Sequence, residues 1–312
     1  MATQKKDPID LGFSFLTGAA ALLVLIFIGG LFVVLLSESS LAIGKFGIIK
    51  FLKTVDWDPV KENFGAAAPL FGTLVTTFFS LLFAIPVAIG IAIFITEICP
   101  NSLKAPIGVA IELLAAIPSI IYGMWGLFTL APIMSKYIEP ALQNTLGHIP
   151  LLGSLFQGTP TGIDLFTAST ILGIMVVPFT ASISRDSFNL TPAVVKESAY
   201  ALGATRWEVV KDVVLPYSKL GVFGGIALSL GRALGETMAV AFVLGVNYQI
   251  PKSLFAPAST ISVTLANEFT EAASDVYLSS LFYLGLVLFI MSFVILAIAK
   301  FFLLRAERTF SR

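Results

Sequence analysis

The chain has 312 residues, of which 57% are hydrophobic and 12% charged, with a formal net charge of zero and a mean hydropathy of +0.94. Soluble domains carry about 25% charged residues, so this chain has too little charge to cover a water-facing surface, and lipid is its expected solvent. Zero net charge argues against nucleic acid as a partner. One cysteine (Cys99) and one histidine (His148) argue against a disulfide, a cysteine cluster or a histidine metal site.

A membrane helix needs about 20 mostly apolar residues. Six stretches meet this: 13–36, 69–96, 107–131, 164–184, 220–245 and 279–303. The apolar run from Leu11 to Ser37 is too long for a signal-peptide core and lacks an A-x-A cleavage pattern, so it reads as a retained first helix. Residues 1–12 precede it and 304–312 follow the last span; both are expected inside. Pro86, Pro118 and Pro178 fall within spans, where neighbouring groups can satisfy the freed carbonyls and kinks are tolerated. Glu97, ending the second span, reads as solvated. Tyr122, Trp125 and Phe128 in the third span read as an interfacial aromatic belt.

Lys and Arg set the orientation. With the N-terminus inside, twelve of the 19 basic residues lie in inner segments, six lie in outer ones, and Arg232 lies within a span. This bias places both termini, and 185–219, on the cytoplasmic side.

The inner loop carries the most information. Thr191-Pro192 suits a helix start, Gly203 allows a sharp turn, and Thr205-Arg206-Trp207-Glu208 has the form of a capping box that starts a second helix. Pro216 is expected to stop that helix before the next span. The product is an elbow of two short helices: either a plain connection or a docking knob for a cytoplasmic partner.

The fifth span reads SLGRALGETMAV. Arg232 and Glu236, four residues apart, are expected on one helix face. A charge at mid-bilayer costs about 2.5–3.5 kcal/mol, so neither can face lipid. They either form an internal ion pair or line a transport path, where an arginine fork suits an oxyanion and Glu236 neutralises it between ions. Gly231 and Gly235 on the adjacent strip would admit close helix approach. Glu112 in the third span is a further path candidate. The stretch 246–278 is more apolar than a solvated loop; it either dips back into the bundle, which requires shielding by other helices, or packs on helix ends. No G-x4-G-K-[ST] phosphate cradle occurs in the chain.

Residues 196–216, KESAYALGATRWEVVKDVVLP, resemble the EAA loop of ABC importer permeases. The pattern is E-A-A-x3-G-x9-I-x-L-P, matched at Glu197, Ala199, Gly203, Leu215 and Pro216, with Ser198 for Ala and Val213 for Ile. In that family the loop seats in a groove of an ATP-hydrolysing subunit, and the resemblance implies the same coupling role for these five residues. With 72–97, 111–128, 231–245 and 262–272, the chain over most of 10–308 resembles permeases of the phosphate importer family, PstC type.

That resemblance implies an all-α membrane protein of six transmembrane helices with the type I, MetI-like permease fold, in the bacterial plasma membrane. It implies a core over 69–303 containing the coupling loop 186–216; the substrate path is expected, from the charges within spans, to involve Arg232, Glu236 and Glu112. The implied partners are a second permease of the PstA type, two ATP-binding subunits of the PstB type and an external phosphate-binding protein of the PstS type. ATP-Mg would sit on the partner ATPase, with no cofactor and no catalysis on this chain. One arginine cannot tell phosphate from sulfate, so recognition would rest mainly in the external protein. Alternatives are the same architecture for sulfate, molybdate or an organic solute, or a passive anion channel or secondary carrier. A carrier would often show two repeated halves, and no convincing repeat is visible; a channel has no need of the elbow. A membrane anchor for a signalling complex is a further reading and could coexist with transport.

Overall fold

The computed structural model describes residues 8–150 and 153–310. Positions 1–7 and 311–312 of the expected inner ends lie outside the described residues. The chain is almost entirely helical. Five helices are long and apolar enough to cross a bilayer, and a sixth crossing is made by a pair bent through 86°.

The first helix, α1 (Pro8–Glu38), buries none of its most apolar stretch. It is hydrophobic all round, as expected of a helix solvated by lipid. Two short helices, α2 (Ser40–Phe46) and α3 (Ile48–Lys53), follow it. A hairpin then pairs Trp57–Asp58 with Asn63–Phe64, the one strand pair among the described residues. The second crossing is α4 (Ala67–Ile98). The third is the bent pair α5 (Asn101–Ala115) and α6 (Ser119–Leu146). The fourth, α7 (Leu165–Asn189), is 61% buried in its most apolar window and is the central post against which α4, α5 and the fifth crossing pack. The elbow helix α8 (Ala193–Ala201) leads to the fifth crossing, α9 (Arg206–Leu234). A four-residue helix α10 (Met238–Ala241), an irregular stretch and α11 (Ile261–Glu268) precede the last crossing, α12 (Asp275–Phe310).

Two expected spans differ from what forms. The third was expected as one helix over 107–131, kinked at Pro118; it breaks instead. Pro118 has no N–H to donate to Leu114, and proline disfavours helical backbone at the residue before it, Ile117. The helix stops at Ala115 and restarts at Ser119. The fifth was expected over 220–245; its helix begins earlier and ends at Leu234, where Gly235 (φ −93°, ψ 1°) leaves helical geometry. Pro86 and Pro178, by contrast, sit inside unbroken helices.

The stretch 246–264 packs on helix ends. The Phe166 N–H donates to the Leu254 carbonyl at 2.9 Å, and the Ile261 N–H donates to Thr73 Oγ1 at 2.9 Å. Leu254, Ala258 and Val263 thereby join the central core of Leu81, Ala84, Leu172 and Val240. This answers the high apolarity of the loop: its backbone is held by the first turn of α7 and the second turn of α4.

A second core on the same face joins α2, α3 and the hairpin to α12 through Phe51, Trp57, Phe64, Tyr277 and Tyr283. Glu268 is its polar centre, accepting hydrogen bonds from Tyr248 Oη (2.7 Å), Trp57 Nε1 (3.3 Å) and Tyr277 Oη. This face is called the far face below; the opposite one is the elbow face.

Candidate coupling elbow and membrane path

The elbow follows from local sequence. Pro192 stands in the N-cap position of α8, and no residue of α8 is buried. Gly203 has φ +89°, the left-handed region where a side chain is disfavoured, and no atom would meet an added Cβ. Glycine is required here by backbone conformation alone. Thr205 then caps α9: its Oγ1 accepts from the Glu208 N–H, while Glu208 Oε2 accepts from the Thr205 N–H at 2.7 Å. Leu202 is 90% exposed and Trp207 64% exposed, with Val194 and Tyr200 also open, so the turn carries an apolar crown that none of the described residues covers. Glu197 is exposed beside it.

Pro216 does not stop the second elbow helix. The Leu215 N–H bonds to the Val210 carbonyl, a wide i→i+5 turn, and the helix continues through Pro216 to Leu234. The wide turn shifts the bonding register immediately before the residue that lacks a donor. The second elbow helix and the fifth crossing are therefore one rod of 29 residues, about 43 Å long at 1.5 Å per residue. Val209, Val214 and Val222 of the rod bury against Phe188 and Ala92, with Ala199 and Leu215 packed at the rim of that cluster.

Three ion pairs lie on the elbow face. Lys196 Nζ lies 2.5 Å from Glu97 Oε1, with side chains 18% and 8% exposed. Glu97 is thus a buried partner of the elbow, contrary to the solvated role expected of it; its lysine is 99 residues away and no local pattern could reveal it. Arg185 lies 2.6 Å from Glu112 and 2.7 Å from Asp186. Glu112 accordingly stands at the elbow face, bound to the C-terminal half of α7.

The other end of the rod is at membrane depth. Ser229 Oγ and Thr180 Oγ1 share a hydrogen bond of 2.7 Å, and the Arg232 guanidinium lies 5.2 Å from the centre of the Phe179 ring. Phe179 and Thr180 are past the middle of the 25-residue α7, about 22 Å from its far-face end. Arg232 is therefore near mid-bilayer.

Arg232 and Glu236 do not share a helix face. The helix ends between them, and Glu236 Oε1 instead accepts from the Ala239 N–H at 3.1 Å, capping α10. Among the described residues no ion pair includes Arg232. Its contact with Phe179 is worth about 0.5–2 kcal/mol, against a cost of about 2.5–3.5 kcal/mol for a charge at this depth. The chain by itself leaves this cation under-compensated. Gly231 and Gly235 do not bring another backbone close either. They line an apolar groove of about 500 Å³ with Leu31, Leu35, Leu288 and Phe289 of α1 and α12.

The breaks in the third and fifth crossings adjoin. A Cβ on Gly123 of α6 would lie 2.8 Å from the Met238 carbonyl oxygen and 3.1 Å from the Ala239 Cα, so only glycine lets α6 meet α10. Tyr122 Oη donates to the Leu114 carbonyl at 2.9 Å, the carbonyl that Pro118 cannot serve, and feels the charge of Arg232. Tyr122 thus turns into the break rather than forming a belt with Trp125 and Phe128, which are exposed. Irregular backbone at membrane depth persists only where protein buries it or water fills a cavity beside it, and residues 116–118 and 235–237 place two such stretches around one arginine.

A profile of the family described as "Binding-protein-dependent transport system inner membrane component" matches residues 66–309. The chain belongs to this family. Within it, the permease is 53% identical over 298 residues to the "Phosphate transport system permease protein PstC" of Mesorhizobium japonicum, covering 96% of this chain and 91% of that one. It is 49% identical to the protein of the same name from Pasteurella multocida, covering 96% and 93% of the two chains. Among solved structures the permease is similar to a chain of a bacterial ABC transporter that imports the acidic polysaccharide alginate (TM-score 0.61, 19% identity, 95% of this chain and 97% of that one). It is also similar to a chain of the MetNI methionine transporter (TM-score 0.55, 16% identity, 77% and 95%). At these identities the likeness is one of fold. The permease is a multi-pass membrane protein with the MetI-like helical architecture.

Proposed function

We propose that this chain is the phosphate-conducting permease of an ATP-driven importer. The elbow face lies in the cytoplasm with both termini, and the far face receives phosphate from an external binding protein of the PstS type. The chain conducts and does not hydrolyse ATP. Catalysis falls to two PstB-type subunits that hold ATP-Mg and seat on Glu197, Ala199, Gly203, Leu215 and Pro216, and a PstA-type permease completes the membrane path. The relatives' printed names support the cargo. One observation supports the mechanism: the second elbow helix, against which Ala199 packs, is on the same rod as Arg232, so tilting that end displaces the mid-membrane cation.

Arg232 gives a dianion or monoanion of phosphate a countercharge that lipid cannot supply. Glu236, two residues beyond the rod's end, holds the start of α10 and lies on the path rather than neutralising the arginine. Glu112 acts through Arg185, holding α5 to α7 at the inner mouth. The test is ATP-dependent uptake of radiolabelled phosphate into vesicles carrying the assembled transporter, with sulfate and molybdate as competitors. Uptake that needs no ATP, or that sulfate or molybdate replaces, overturns the proposal.

A further inference from the structure

On the far face the Ala131 carbonyl abuts Gly162, three residues before α7 begins, so α6 runs on past the start of α7 from Ala131; its remainder to Leu146 is called its outer part. Glu139 of this outer part and Asp164, the N-cap of α7, both have zero solvent exposure. Glu139 Oε2 accepts from the Gly162 N–H at 3.3 Å and Oε1 from Thr167 Oγ1 at 3.4 Å, while Asp164 Oδ1 accepts from the Thr167 N–H at 2.9 Å. Thr167 thus donates to both carboxyl groups and sets them side by side. Asp164 Oδ2 is buried and receives no hydrogen bond among the described residues.

Two carboxylates in contact cannot both be ionised without a cation between them. None is present among the described residues. On α6, Lys136 is exposed and lies over the Tyr137 ring. The segment 153–163 has no charged residue, and α7 has none before Arg185, at its opposite end. In the stretch 246–264 the only charged residue, Lys252, is exposed, and Glu268 of α11 is occupied by its three aromatic donors.

We propose that Glu139 and Asp164 bind one proton between them, and that this proton latches the outer part of α6 to the start of α7. The Glu139 carboxylic O–H donates to Asp164 Oδ2, satisfying the oxygen that otherwise has no donor. Loss of the proton to the far-face solution leaves two buried negative charges in contact and releases α6, the helix whose other end forms the break beside Arg232. Burial, and then the Asp164 charge, push the Glu139 carboxyl from its ordinary 4.5 up to about 7. Burial likewise raises Asp164. Because the folded value is raised, the folded chain binds more protons than the unfolded chain between these limits. The latch is then complete at acid pH, weakens as pH rises from about 4.5 to about 7, and stays open above.

The full-length chain in lipid nanodiscs tests this. Its infrared difference spectrum between about pH 5 and about pH 8 is expected to lose one protonated-carboxyl band, and its unfolding midpoint to fall by on the order of 5 °C over the same range. Glu139→Gln, whose amide donates at every pH, is expected to lack the band and to flatten that slope. A wild-type spectrum without a protonated carboxyl overturns the proposal even if the variant fails to fold. So does a Glu139→Gln midpoint that keeps the wild-type slope.

Discussion

The two ends of α9 are built in opposite ways. At the elbow end a capping box, a valine cluster against Phe188 and the buried Lys196–Glu97 pair fix the start of the rod. At the membrane end Arg232 has an aromatic face and no carboxylate, and the helix stops two residues later. A rod fixed firmly at one end and under-compensated at the other transmits movement to its weaker end. That contrast explains how a device at the cytoplasmic surface can act on an ion at mid-bilayer without any change inside the rod.

The largest test of the contrast is Arg232→Gln. Phosphate uptake is expected to fall at least about a hundredfold, equivalent to about 3 kcal/mol, while co-purification with the partner subunits stays intact because no ion pair is broken. Loss of assembly instead would make Arg232 a structural pin. Lys196→Met should act at the other end. It strands Glu97 in a site where that carboxylate is 8% exposed, costing on the order of 3 kcal/mol, and the thermal midpoint should drop with uptake falling in proportion to folded protein. Gly203→Val forces a β-branched residue into φ +89°, a strain of about 1–2 kcal/mol. ATPase co-purification should weaken several-fold while the membrane helices, read by circular dichroism, stay unchanged. The smallest effect belongs to Thr205→Ala, which removes half the capping box for about 1 kcal/mol; a slight loss of midpoint with nearly normal uptake is expected. An uptake loss as deep as that of Arg232→Gln would show that the start of α9 does more than begin a helix.

The prolines show where sequence reading stops. Pro118 and Pro216 both stand at helix positions with apolar neighbours, and chain order alone recommends a kink for the first and a stop for the second. The reverse forms: α5 and α6 part at Pro118, whereas α9 runs through Pro216 because a wide turn precedes it. Which outcome holds depends on whether neighbours absorb the freed carbonyl, and Tyr122 Oη does so for Leu114 from eight residues away. The Arg232–Glu236 pairing failed for a related reason. A spacing of four places side chains on one face only while the helix lasts, and Gly235 ends it between them.

The sequence by itself determined the lipid environment, the number of crossings, the elbow with its Gly203 turn and Thr205–Glu208 cap, and the presence of one arginine within a span. These rest on composition or on interactions within a few residues, which a linear pattern records. Only the tertiary structure decided that the second elbow helix and the fifth crossing form one rod, that Glu97 belongs to Lys196, that two helix breaks adjoin near Arg232, and that Glu139 is buried against Asp164. Each of these joins residues far apart in the chain or hangs on how backbone groups freed by proline and glycine are satisfied. Packing, not propensity, settles such contests.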